Sequence, residues 1–271
     1  MVEIKKGVKE KMGMKKWGFI ALLSIMGVIG MLGGRVHAEA AVDEIPPVDY
    51  PSTIEFEDTF NLGTQGWSGE FADLPHTVEN PDLYQTKFSL ENMPAELDPS
   101  QQGLSLTGMN RSDDLFMYVK KQIKVKPNTR YYIDFNFDIA TNAAPGKMGI
   151  GGAPGESVYV KAGAVAYEPK PIIDGDYYRF NVDKGNQKIE GSHAIVMGNL
   201  AKIGDQKSTY QLKNYTNNGQ PFFAQSDADG DLWLFVGTDS GFEGLTKIYF
   251  SRISVTLNEV ASIVEPPIIG K

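Results

Sequence analysis

Arg130-Tyr131-Tyr132-Ile133-Asp134-Phe135-Asn136-Phe137-Asp138-Ile139-Ala140 is the stretch on which the fold turns. Tyr131, Ile133, Phe135, Phe137 and Ile139 alternate with Tyr132, Asp134, Asn136 and Asp138. A period of two puts the apolar set on one face of a strand and the polar set on the other. That pattern predicts a half-buried antiparallel strand. The polar face mixes acceptors, donors and an aromatic ring. If concave it suits a polyol, whose hydroxyls both donate and accept; if convex it is a solvated face.

Working outward, strands are expected over 54–60, 84–90, 102–108, 114–124, 157–168, 177–182, 194–198, 208–215, 220–225, 231–238 and 246–257. Clusters of Gly, Pro, Asn and Asp separate them at 142–155, 169–176, 183–191, 217–219 and 227–230. In the last strand Ile248 and Phe250 share one phase, whereas Ile253, Val255 and Leu257 share the other. The offset predicts a β-bulge at Ser251-Arg252. No helix period and no internal repeat interrupts the series. About twelve short strands point to an all-β, two-sheet antiparallel β-sandwich of jelly-roll type.

The start of the chain is an address. Basic residues up to Lys16 precede an apolar run from Trp17 to Gly34, and Val36-His37-Ala38 offers a small-residue cleavage site. Residues 1–38 read as a secretory signal peptide, and an uncleaved membrane anchor is the rival reading. Residues 39–52 read as an extended acidic, Pro-bearing leader, 53–258 as the sandwich and 259–271 as a short tail. Cleavage after Ala38 leaves 19 basic and 32 acidic residues (26 less 7, and 34 less 2), a formal charge of −13. Such a field repels nucleic acid and anionic membrane surfaces, so neither is an expected partner, and no stable membrane insertion is expected after cleavage. With no cysteine in the sequence, disulfide stapling and lipidation of a processed N-terminus are both excluded.

Catalytic signatures are missing. Gly155-Glu156-Ser157-Val158-Tyr159 lacks the closing glycine of a nucleophile elbow, and there is no His-Glu-x-x-His. After residue 38 only His76 and His193 remain, too few for a three-His metal site. Gly149–Gly155 is Gly-rich but is followed by neither Lys-Ser/Thr nor a helical pattern, so it reads as a loop.

Several residues stand out against that background. Asp227-Ala228-Asp229-Gly230-Asp231 sets carboxylates on alternate residues around a glycine, as a hard cation prefers, so Asp227, Asp229 and Asp231 are candidate calcium ligands; the alternative is a hairpin turn. Glu55 and Glu57 share a face of the first strand and are a second candidate place for a structural calcium. Asp113 and Asp114 enter an aromatic strand, as turn residues or as acceptors for a ligand hydroxyl. Lys161 lies between Val160 and Ala162; if its face is core it needs a partner, with Asp134 or Asp138 as candidates. Trp67, in a glycine-flanked loop, either stacks on a sugar face or plugs the end of a sheet.

Phe56-Glu57-Asp58-Thr59-Phe60 with Gly66-Trp67 resembles the opening of many secreted bacterial sandwich domains, carbohydrate-binding modules among them. Ser112–Tyr118, Gly149–Gly163 and Val236–Gly244 resemble a family of exported bacterial proteins and lipoproteins without assigned activity, over about residues 54–257. The resemblance implies a galactose-binding or carbohydrate-binding-module-like jelly roll and a secreted or loosely surface-associated address. It brings no active site, and this chain lacks the lipoprotein members' cysteine.

The leading expectation is a secreted, non-catalytic domain that binds a carbohydrate or a similar neutral ligand through Trp67, Asp134, Asn136, Lys161, Asp239 and Glu243. A polysaccharide lyase or glycoside hydrolase on the same scaffold is one alternative. A structural or adhesive surface protein is another.

Overall fold

The computed structural model describes residues 52–77, 81–204 and 206–261. The signal segment, nearly all of the leader and most of the tail lie outside them. The described residues belong to the second of two compact units, Val48–Lys271.

Fifteen strands are described, in three antiparallel sheets. The first sheet has seven strands. Its main path is β12 (Gln211–Thr216), β7 (Arg130–Thr141), β15 (Leu245–Glu259), β5 (Gln102–Met109) and β4 (Lys87–Asn92). In addition β1 (Thr53–Thr59) pairs with β15 and β13 (Phe223–Gln225) with β7. The second sheet runs β11 (Ala194–Asn199), β8 (Val158–Val165), β14 (Asp231–Ser240), β6 (Leu115–Lys124) and β2 (Ser68–Ala72). The third is small: β3 (Leu74–Pro75), β10 (Tyr177–Phe180) and β9 (Pro171–Asp174).

The alternation of β7 works as its sequence demands. Tyr131, Ile133, Phe135, Phe137 and Ile139 are fully buried against Val158, Val160, Leu232, Leu234 and Val236 of the second sheet. This is a two-sheet β-sandwich with one main core. Burying each such side chain contributes about 1.5–3 kcal/mol, which lets the domain stand without disulfides.

The bulge in β15 lies where its sequence phase slips, with register broken between Phe250 and Arg252. It also has a topological reason. Up to Phe250 the free edge of β15 pairs with β5, and from Arg252 it pairs with β1, with Thr59 opposite Arg252 and Thr53 opposite Asn258. The first and last strands are therefore neighbours. Glu259 closes that end, accepting from Ser52 N and Oγ at 3.2 and 3.0 Å and pairing with Lys126 at 2.9 Å.

Strands β2, β3 and β9 have no counterpart among the sequence-derived strands. β9 falls inside 169–176, which reads as a turn cluster. It is short, begins at Pro171 and is largely exposed, so it has no alternation to detect. The expected strand at 84–90 starts later, at Lys87, because Pro81–Tyr84 forms a 3-10 turn.

On β4, Glu91 pairs with Lys87 at 3.0 Å and Lys247 at 2.7 Å and accepts from Ser89 Oγ at 2.6 Å. Burial opposes ionisation, but Lys247, Ser89 and Lys87 together bring its carboxyl pKa down from 4.5 to about 2. A folded-state pKa below the unfolded one stabilises above pH 4.5, and that stability is lost as pH falls towards 2. Because the side chain is a quarter exposed and solvent screens its ion pairs, Glu91→Gln is expected to cost on the order of 1 kcal/mol or less at neutral pH. The difference should vanish near pH 2, as read by urea melts across that range.

Candidate functional site

The outer face of the seven-stranded sheet carries the polar half of β7. Asn136, Asp138 and Arg252 form its locked end. Arg252 donates to Asp138 Oδ2 at 2.8 Å and Asn136 Oδ1 at 2.8 Å and pairs with Glu57 at 3.2 Å. Asn214 on β12 donates to Asn136 Oδ1 at 2.8 Å and to Asp138 Oδ1 at 2.7 Å. These bonds fix the side chains before any ligand arrives.

Beside this locked end lies an open trough of about 310 Å³, lined by Glu55, Tyr132, Asp134, Asn136, Ser254 and Thr256 with Thr216 and Asn218 at its rim. The register explains the grouping: Ser254 pairs with Asn136 and Thr256 with Asp134 across β7–β15, while Glu55 pairs with Thr256 across β1–β15. Directly opposed residues share a face. Tyr132 is braced edge-on by the exposed Phe223 at 5.6 Å, and Arg130 lies over that Phe223 ring at 4.6 Å. A hydrogen bond to Asp134 holds the Tyr132 phenol above its ordinary pKa. Carboxylate, amide and hydroxyl groups thus meet at one aromatic edge.

A second, buried constellation lies on the far face of the second sheet, under β10 and the loop that follows it. Lys161 and Asp239 are both fully buried and 3.1 Å apart. Lys184, also buried, reaches Asp239 at 2.9 Å and Asp73 at 3.0 Å. Arg179 stands 3.4 Å from Asp73. Asp114 completes the group: Asp73, Asp114 and Asp239 bring carboxylate oxygens within 4.8 Å of one another. Lys184 Nζ lies 5.1 Å over the Phe116 ring, and Phe180 shares an open hollow with Asp73, Asp114 and Lys184. Burial, then the charge of Asp239, raises the Asp114 carboxyl to about 8. Three carboxylates in such reach could hold a metal, but the ammonium groups of Lys161 and Lys184 already occupy the cationic role here.

The expected ligand-side residues separate into four places. Asp134 and Asn136 meet in the trough. Lys161 and Asp239 meet in the buried cluster, on the other sheet. The partner of Lys161 is Asp239 rather than Asp134 or Asp138, because β14 is the neighbour of β8 whereas β7 belongs to the opposite sheet. Trp67 is 2% exposed and donates its indole N–H to Asp58 at 2.8 Å, so it plugs the core and presents no face to solvent. Glu243 lies in the turn after β14, where its N–H donates to Ile150 O at 2.9 Å.

The candidate calcium residues are also placed. Asp227 Oδ1 accepts from the N–H groups of Asp229 and Asp231 at 3.0 and 2.7 Å. Asp231 pairs with Lys124 at 2.6 Å. Gly230 adopts φ +79°, and a Cβ there would meet Val125 O at 2.3 Å. This is a turn closed by an aspartate, but not a hairpin, because it carries the chain from β13 of the first sheet to β14 of the second. Glu55 and Glu57 point outward from β1, the first into the trough and the second to Arg252.

Sequence reasoning missed Asp73 and Lys184. Both lie in irregular segments where no period marks a side chain as buried; the φ of +60° at Asp73 is a local turn feature invisible to pattern.

No family model matches the chain, and no curated protein does. Among solved structures, it is similar to a carbohydrate-binding module described for specific mannan recognition, at 11% identity and TM-score 0.36, over 78% of this chain and 99% of that one. It is also similar to the family 11 carbohydrate-binding module of the cellulosomal cellulase Lic26A-Cel5E of Clostridium thermocellum, at 10% identity and TM-score 0.34, over 78% and 98%. The K1 cleaved adhesin domain of Lys-gingipain from Porphyromonas gingivalis W83 is similar at 10% identity and TM-score 0.34, over 74% and 97%.

Proposed function

We propose that this chain is a secreted, non-catalytic binding domain whose outer sheet face takes a neutral carbohydrate or a similar extracellular polyol. The observation that carries the reading is the trough beside Tyr132. Register sets its groups side by side, and the Arg252–Asp138–Asn136–Asn214 lattice fixes one of them, Asn136, before a ligand arrives. Asp134 accepts from ring hydroxyls, Ser254 and Thr256 donate or accept as needed, and the Tyr132 ring supplies an apolar edge. The acidic charge of the exported chain disfavours anionic glycans and favours neutral ones.

The test is a glycan array followed by calorimetry on the best neutral oligosaccharide. Asp134→Ala is expected to weaken binding by roughly tenfold or more, since a hydrogen bond to a charged group contributes about 1.5–3 kcal/mol. Its melting temperature should stay within about a degree of the parent, because surface changes usually cost under 0.5 kcal/mol. Silence across neutral glycans, or unchanged affinity in Asp134→Ala, would end the proposal. Shortened or unsaturated products in the same samples would replace it with the enzyme reading.

A further inference from the structure

The buried cluster has the composition and geometry of a group that reacts with itself. Lys161 on β8 is fully enclosed, and its Nζ donates to the carbonyls of Lys184 at 2.7 Å and Ile189 at 2.9 Å. A neutral amine has two N–H bonds and one lone pair. The two carbonyls take two N–H bonds, and the third, which as ammonium donates to Asp239 Oδ2 at 3.1 Å, leaves the lone pair on that side once its proton has gone. On the other side Asp239 Oδ2 accepts from Lys184 Nζ at 2.9 Å and from the Gln187 N–H at 2.8 Å. Those two donors stand where negative charge would gather if Cγ were attacked. Asp239 Oδ1 takes no N–H or hydroxyl donor, and neither does Asp114 Oδ1. The two carboxyls lie in hydrogen-bonding reach of each other.

We propose that Lys161 and Asp239 condense to an intramolecular amide that cross-links β8 to β14, with Asp114 as the proton-transferring catalytic residue. The strands are hydrogen-bonded neighbours with Lys161 opposite Gly237 and Tyr159 opposite Asp239, so the bond closes a diagonal of one ladder.

The reaction balances without any outside reagent. The pair begins as ammonium and carboxylate. One proton leaves Lys161 for the Asp114–Asp239 carboxyl pair, and the amine attacks Cγ of Asp239 to form the C–N bond. The electron pair of the C=O bond moves onto Oδ2, facing Lys184 and the Gln187 N–H. Asp114 then gives its proton to Oδ1 as the C–Oδ1 bond breaks and water departs, and it recovers a proton from the nitrogen. Three ammonium protons become one amide N–H and two on water; nothing is oxidised or reduced.

Burial pushes the Asp239 carboxyl up, but Lys184 and Lys161 bring it below its ordinary pKa, so it rests ionised and the proton from Lys161 must reach it before attack. Burial lowers the pKa of Lys161, which favours the amine, whereas Lys184 is raised despite burial by Asp239, Asp73 and Asp114 and stays cationic. Asp114, raised to about 8, holds its proton at neutral pH. Lys161 and Asp239 are fully buried, whereas Asp73, Asp114 and Lys184 also line an open hollow of about 250 Å³, through which the released water can leave.

Tryptic digestion of the purified chain with mass spectrometry tests this independently of any glycan. The expected result is a branched peptide joining the Lys161 segment to the Asp239 segment, lighter by one water than the two together, with no cleavage after Lys161. Lys161→Arg and Asp239→Ala should both lack it. Asp114→Asn should fold, by its cooperative melt and strand signal, yet yield only linear peptides. Cleavage after Lys161 in the parent chain, with both linear peptides recovered in full, overturns the proposal. A branched peptide that persists in Asp114→Asn overturns the part given to Asp114.

Discussion

In the chain whose Lys161 and Asp239 are unlinked, replacing Asp239 by alanine should cost about 3–5 kcal/mol of unfolding free energy, the range for stripping one partner from a buried ion pair. The carboxylate is fully buried and answers two ammonium groups and the Gln187 N–H. Its removal strands Lys161 and Lys184 in apolar surroundings, where an unpaired charge is most expensive. Lys161→Met should cost less, because Asp239 keeps Lys184 and Gln187 and the methylene stem is replaced in kind. Urea denaturation with an unchanged m-value would measure both. Equal losses are expected where the amide has formed, since both variants then lose the same cross-link; reversed losses would mean that Asp239 does not organise the cluster.

Trp67→Ala is the second large effect, expected at about 3–5 kcal/mol from lost contacts and the cavity left behind. The indole is 2% exposed, and its N–H is satisfied by Asp58, which also pairs with Lys121. Binding at the trough should be unchanged once the variant is compared below its own melting temperature. If the variant keeps its stability and loses glycan affinity, the ring stacks on ligand and the trough is the wrong place to look.

The two residues show what the sequence could and could not convey. Alternation in β7 exposed the core face, the polar face and even the phase slip of β15, since each is a local consequence of strand period. Asp134 and Asn136 were legible for the same reason. Lys161 was legible as an anomaly, a charge on an apolar face, but not its partner, which depends on which strand lies alongside. Trp67 was ambiguous because a glycine-flanked tryptophan reads the same whether it plugs a sheet end or faces water. Asp73 and Lys184 carried no signal, because their burial is created by the small third sheet and the loop after it, elements too short and too exposed to show a pattern.

The pairing of the first strand with the last has a mechanical meaning. Thr53 stands opposite Asn258, so a tension drawn through the two ends of the domain enters one antiparallel ladder at adjacent rungs. Loaded in that way the ladder unzips, breaking its hydrogen bonds in succession rather than sharing the load. β1 is then the piece that peels first, and the Ser52–Glu259–Lys126 clasp is the catch that must give before it does. The sandwich behind it would remain shut while β1 extends, so under pull the domain would lengthen by one strand before it lost its core.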